Sequence, residues 1–187
     1  GPDEILELLE QDFNPLVARI RNLPMPVVCA VNGVAAGAGA NLALACDIIL
    51  AARSASFLQA FARIGLIPDA GGTWTLPRQA GEARAKGMAM LAEPVPAEKA
   101  LDWGLIWQVC DDDELMDDAH RLASRLSKQP TKAFALIKQA INASSSHGFD
   151  AHLAVEAKLQ AEAAASHDYD EGVTAFLEKR KPVFKGE

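Results

Sequence analysis

Apolar residues at Ile5, Leu8, Leu9, Phe13, Leu16, Val17 and Ile20 recur at helical spacing. They predict a helix across Asp3 to Asn22, with Pro15 either kinking it or opening a second segment. "LPMP" ends that pattern. Val27 to Gly33, "VVCAVNG", is a short β-branched run between Pro26 and a glycine, and reads as a buried strand. Small residues follow in "VAAGAGANLALAC" and give way to a helix of Ala and Leu. Asp47 to Arg53, "DIILAAR", predicts a second buried strand, and "SASFLQAF" a short third. A loop, "GLIPDAGGTW", comes next. Helical patterns cover Leu76 to Leu91 and Pro96 to Trp103, and "LIWQVC" is a last strand. Helices are then predicted over Glu114–Lys128, Thr131–Ser144, His152–Ala165 and Asp170–Lys179. Strands alternate with helices early and helices take over late, an α/β pattern with a helical end.

Composition narrows the functional classes. The chain has 187 residues, half of them hydrophobic and 23% charged, which suits one domain or one domain plus an appendage. A net charge of −7 argues against nucleic acid as a partner, because phosphate binding wants a basic face. Cys29, Cys46 and Cys110 lack C-x-x-C spacing and read as buried free thiols in a reducing compartment. His120, His147, His152 and His167 form no ligand motif, so no metal site is expected. No apolar run reaches about 18 residues, so no membrane helix is expected. The opening "GPDEILELLEQDF" lacks the basic and apolar regions of a signal peptide. A cytoplasmic location is the expectation.

Two stretches carry candidate chemistry. "NGVAAGAGANLALA" holds Gly33, Gly37 and Gly39 at a strand-to-helix turn. It matches the dinucleotide fingerprint poorly, lacking a third glycine after Gly37 and Gly39 and a well-placed acid. Such a turn lets backbone approach a ligand closely, with helix N–H groups aimed at an oxygen. It serves tight helix packing equally well. In the second stretch one acid, Asp69, stands between a proline and a glycine pair. Apolar neighbours would desolvate it and raise its pKa, making it a proton carrier. Pro-Asp-x-Gly is also ordinary turn chemistry, and an aspartate there can cap a helix. Asn41 has two readings, a substrate or water contact and a helix-start residue. Phe61 and Trp74 either line an aryl-sized pocket or belong to the core. Trp103 and Trp107 read as packing residues.

In order, "PMPVVCAVNGVAAGAGANLALACDIILAARSASF" and "GLIPDAGGTWTLPRQAG" resemble the crotonase family, the enoyl-CoA hydratase/isomerase superfamily. The likeness runs from the first helix through "EGVTAFLEKRKPVFKGE". Within the family, "NPLVARIRNLP", "WGLIWQV" and "LIKQAINAS" resemble the isomerases of phenylacetate degradation that turn ring-1,2-epoxyphenylacetyl-CoA into oxepin-CoA. The resemblance implies an α/β fold: a crotonase/ClpP-like ββα spiral core, incomplete at the N-terminus, with a helical trimerisation region. Residues 1–110 would be the C-terminal portion of that core and 111–187 the helical region. It implies an acyl-CoA thioester substrate, no cofactor beyond the coenzyme A of the substrate, and a homotrimer or dimer of trimers.

Roles carry over position by position. One backbone N–H of the oxyanion hole falls at Ala38, between Gly37 and Gly39, where enolate charge would develop. The two glutamates of family hydratases would fall at Asn41 and Phe61, and neither is an acid here. The acid used by the isomerase branches falls at Asp69. Asn41, Phe61 and Trp74 are candidates for the substrate pocket. Phe176 and Lys179 match positions where the family's last helix meets coenzyme A, often from a neighbouring subunit. "EKRK" reads equally as a solvated basic face. Family chains run longer at the front, where the other oxyanion donor lies, so this chain alone is expected to be weakly active or inactive. The alternatives to an isomerase are a hydratase with unusual acids and a non-catalytic scaffold.

Overall fold

The computed structural model describes residues 1–187 and divides into two compact units. One comprises Gly1–Arg21 with Val27–His120; the other comprises Asn22–Pro26 with Arg121–Glu187.

The first unit begins with α1 (Pro2–Leu8), which runs through a π-helical stretch, Leu9–Phe13, into α2 (Asn14–Asn22). Pro15 does not break the helix. It follows closely on the π-helical stretch, so the irregularity of the continuous helix lies just ahead of the residue that cannot donate to its ladder. Only Val17 of this apolar stripe is buried.

Two small sheets follow. β1 (Val28–Val31), β3 (Ile48–Ala52) and β6 (Gln108–Cys110) form one, in the order β1-β3-β6 and all parallel. β2 (Val34–Ala36), β4 (Ser56–Leu58) and β5 (Val95–Pro96) form the other, with β2 and β4 parallel and β5 antiparallel. The chain lays one strand in each sheet and then a helix. β1 and β2 lead to α3 (Ala38–Leu44), and β3 and β4 lead to a 3₁₀ turn (Ala60–Ile64), α4 (Gly72–Ala80) and α5 (Glu82–Leu91). β5, α6 (Ala97–Asp102) and β6 complete the next turn. Val28 pairs with Ile48 and Val34 with Ser56, so successive turns stack in parallel register and build a ββα spiral. The apolar run Ile49 to Ala52 is buried because β3 is the central strand, as continuous apolar runs require. Leu44, Leu50, Phe57, Leu76 and Leu105 fill the interior. Each contributes roughly 1.5–3 kcal/mol by leaving water.

Several expectations need correction. The predicted helix Leu76–Leu91 is two helices, α4 starting earlier at Gly72 and α5 separated by Gly81 at φ 84. β2 lies within the glycine-rich stretch, where three residues are too few to show a period. Only Cys110 is buried, and Cys29 and Cys46 are half-buried. Trp107 is 70% exposed, and Trp103 instead takes Arg84 and Lys99 over its ring.

The second unit is helical. α7 (Leu115–Ser127) leads into it, followed by α8 (Thr131–Ser144), α9 (Phe149–Ala164) and α10 (His167–Leu177). α9 and α10 each start three residues earlier than the apolar pattern suggested, after Gly148 and after Ser166. The Ser166 hydroxyl accepts the Tyr169 N–H at 3.1 Å, a side-chain cap that fixes the start of α10. The chain end is tied back by Asp168, whose carboxylate accepts the N–H groups of Lys185 and Gly186 at 2.7 and 2.8 Å.

Candidate active site at the Asp69 loop

The glycine-rich turn joins β2 to α3. Gly37 takes φ 55 and ψ −127, a conformation that L side chains avoid, and its N–H bonds the Leu58 carbonyl at 2.8 Å. A Cβ there would stand 3.6 Å from the Phe61 ring. α3 opens at Ala38, so the N–H groups of Ala38 and Gly39 have no acceptor within their own helix. Ala38 is half-buried against a cluster built from Val17, Ala45 and Ala70. Gly39 is exposed, and nothing lies within 4 Å of where its Cβ would be.

The Asp69 loop is fixed from the other side. Ala70 has φ 46, an uncommon left-handed conformation for a residue with a side chain, and Gly71 follows at φ 81. The Gly72 N–H closes the turn on the Asp69 carbonyl at 2.8 Å. The same carbonyl accepts the Asn41 side-chain amide, also at 2.8 Å. The Asn41 Oδ1 in turn accepts the Gln59 amide at 2.8 Å. Asn41 and Gln59 are fully buried. The glycine pair thus has two separate reasons. Gly71 supplies the backbone angle, while Gly72 makes room, since a Cβ there would lie 2.7 Å from the Asn41 Cγ. Asn41 sits one turn after Ala38, so the helix that opens at Ala38 and the Asp69 loop are joined by a direct side-chain hydrogen bond.

Asp69 itself has a buried Oδ1 with no hydrogen-bond partner. Burial pushes its carboxyl above the ordinary carboxylate range, and contact with its own backbone offsets this only in part. Beside the loop lies a largely apolar groove of about 700 Å³, lined by Leu66, Pro68, Leu76 and Met90 and flanked by Arg78, Glu82 and Lys86; Asp69 is not among its lining residues. A largely apolar groove of this size can hold a hydrophobic group.

The other anticipated residues fall in different places. Phe61 is buried and packs under Gly37, which is a core position. Trp74 does not line the groove. Its ring lies under the guanidinium groups of Arg21 and Arg78, 4.5 and 4.0 Å from the ring centroid. The Asn41 amide is committed on both sides within the protein. Phe176, 81% exposed at the end of α10, and Lys179, at φ 55 just beyond it, belong to the second unit. No three His, Cys, Asp or Glu side chains gather in a group that could hold a metal ion. The sequence reading missed Gln59. Its signal is an amide inside the apolar run "SASFLQAF", because a buried amide requires a partner.

A family model of enoyl-CoA hydratase/isomerase matches residues 5–187. The chain belongs to the enoyl-CoA hydratase/isomerase family. It is 57% identical to 1,2-epoxyphenylacetyl-CoA isomerase of Escherichia coli over 178 residues, covering 95% of this chain and 68% of that protein. It is 39% identical to 2,3-dehydroadipyl-CoA hydratase of the same organism, covering 91% of this chain and 67% of that protein. Among solved structures, an enoyl-CoA hydratase from Bacillus anthracis superposes with a TM-score of 0.94 at 32% identity. That match covers all of this chain and 72% of that one. The ββα spiral is therefore the crotonase fold, and the relatives are enzymes that include both isomerases and hydratases.

Proposed function

We propose that this chain serves an isomerase of CoA thioesters, in which Asp69 removes a proton beside the thioester and returns it elsewhere. The N–H of Ala38 would receive the thioester oxygen as enolate charge develops, at the open end of α3. The observation that carries this reading is the Asp69 carboxyl. It is desolvated, has an unpartnered oxygen and is bonded through its own carbonyl to the helix that presents Ala38. A base with a raised pKa is matched to proton transfer near neutral pH.

The substrate is a ring-1,2-epoxyphenylacetyl-CoA rearranging to oxepin-CoA, or a 3-enoyl-CoA passing to its 2-enoyl isomer. The 57% identity to the Escherichia coli isomerase supports the first. Phe176 and Lys179 are the candidate contacts to coenzyme A, in a homotrimer or dimer of trimers in the cytoplasm. A lysine near a nucleotide phosphate suits that role. Residues 1–110 are assigned to the spiral core and 111–187 to the helical assembly region.

The second reading is a hydratase, favoured by the identity to 2,3-dehydroadipyl-CoA hydratase. Against it, positions 41 and 61 carry an amide and a buried phenyl ring, leaving no second carboxylate to place water. The test is turnover of both candidate substrates by the intact protein and its Asp69→Asn variant. Isomerisation lost in a variant that stays fully folded supports the reading; water addition by the wild type favours the hydratase.

A further inference from the structure

We propose that Asn41 and Gln59 form a positioning pair that holds the Asp69 loop, and that Asn41 itself does not touch substrate. This rests on the reading of Asp69 as the proton carrier. Asn41 spends its N–H donor on the Asp69 carbonyl and its oxygen on Gln59, both at 2.8 Å, and its side chain is buried. The Gly72 N–H bonds the same carbonyl from within the turn, and Ala70 packs against Val17 and Ala45, so Asn41 is the side-chain donor that ties the loop to α3. The Asp69 carboxylate has no partner at Oδ1 to fix its direction, so its aim is set by its backbone. That backbone departs from relaxed geometry at Ala70, φ 46, and such a conformation persists only where surrounding contacts over-determine it. The Asn41 amide is one of those contacts, with the Gly72 turn bond and the packing of Ala70, and Gly72 is bare so that the amide can reach the Asp69 carbonyl.

The arrangement also explains why an acid cannot stand at position 41 in this chain. A carboxylate has no N–H to give the Asp69 carbonyl, and its oxygen would face that carbonyl's lone pairs. A buried charge would be added to the one that Asp69 already carries. An amide at this position therefore goes with a single working carboxylate, at Asp69. Glutamine at 59 follows from the same logic, since it must donate to the Asn41 oxygen.

The experiment measures kcat and KM for a 3-enoyl-CoA with the intact wild type, Asp69→Asn, Asn41→Ala, Gln59→Met and the Asn41→Ala/Gln59→Met double variant, each at matched folded fraction. The expected result is a loss of kcat of about 10–100-fold for Asn41→Ala with KM within about twofold, the signature of a misaimed group. Gln59→Met gives a smaller loss in the same parameter. The double variant is no worse than Asn41→Ala alone, because residues acting in one chain of contacts are not additive. Should Asn41→Ala not fold, Gly72→Ala, which displaces the same amide, carries the same expectation. A KM rise at unchanged kcat in Asn41→Ala would mean a substrate contact and would overturn the proposal. So would additive losses in the double variant. Full turnover by Asp69→Asn would instead overturn the assignment of the base, and with it this proposal.

Discussion

Asp69 and Asp168 are both aspartates withdrawn from water next to helix starts, and the protein treats them in opposite ways. Asp168, 3% exposed, receives backbone N–H groups from Lys185 and Gly186 and lies beside the His167 ring. Burial pushes its carboxyl up, but those donors outweigh burial and hold it below the ordinary range. Asp69 has its backbone carbonyl doubly bonded, by Gly72 and Asn41, while its Oδ1 is left with nothing. Its carboxyl therefore stays above the ordinary range. One aspartate spends its charge on holding a chain end. The other has its backbone held by the protein and its charge kept available. The difference lies in where the donors go, and it separates a structural acid from a chemical one.

The largest expected effect breaks the pair apart by function. Asp69→Asn should lose about 10²–10⁴-fold in turnover, while Asp168→Asn should keep turnover per folded molecule within about twofold of the wild type. Steady-state kinetics on both variants, normalised by circular dichroism, decides it. Equal losses would erase the distinction.

Next is Gly72→Ala. Its Cβ would meet the Asn41 amide, whose Cγ lies 2.7 Å away, so the loop or α3 must shift. Overpacking of this kind costs about 1–3 kcal/mol, read as a fall in urea midpoint. Asp168→Ala should cost a similar amount, because the buried N–H donors of Lys185 and Gly186 lose their acceptor. Limited proteolysis should then cut the chain end faster, with no change in KM.

The smallest effect has opposite signs at the two sites. A carboxyl held below its unfolded value stabilises the fold above that value, and the gain is lost as pH falls through the lower, folded one. Asp168 therefore contributes stability at neutral pH that disappears on acidification. For Asp69 the folded value is raised. The folded protein binds the proton more tightly, so stability falls as pH rises from the ordinary carboxylate value through the folded one. Asp69→Asn should accordingly melt higher than wild type at neutral pH, with the gap closing in acid. Asp168→Asn should melt lower at neutral pH, with its gap also closing in acid. Melting curves from acid to neutral pH read both.

Much of this was legible in the residues. The strands at Val28–Val31 and Ile48–Ala52 and the four late helices follow from apolar period and composition. Asp69 stood out as one acid among apolar neighbours. What the pattern could not carry were contacts between distant positions. Nothing local links Asn41 to residue 69, 28 positions away, or shows that Gly72 is bare on account of Asn41. Short elements such as β2, β5 and the 3₁₀ turn Ala60–Ile64 have too few residues for a period. Trp74 is a different case: the residues left a pocket role and a core role open, and two arginines from α2 and α4 cover the ring.

The measurement that tests the central claim most directly is the titration of the two side chains themselves, followed by carboxyl NMR on the intact, unliganded protein. The account predicts that Asp69 titrates above the ordinary carboxylate range and Asp168 below it. An Asp69 carboxyl that titrates at or below Asp168 would contradict it, since an acid so stabilised in its charged form would be poorly matched to moving a proton.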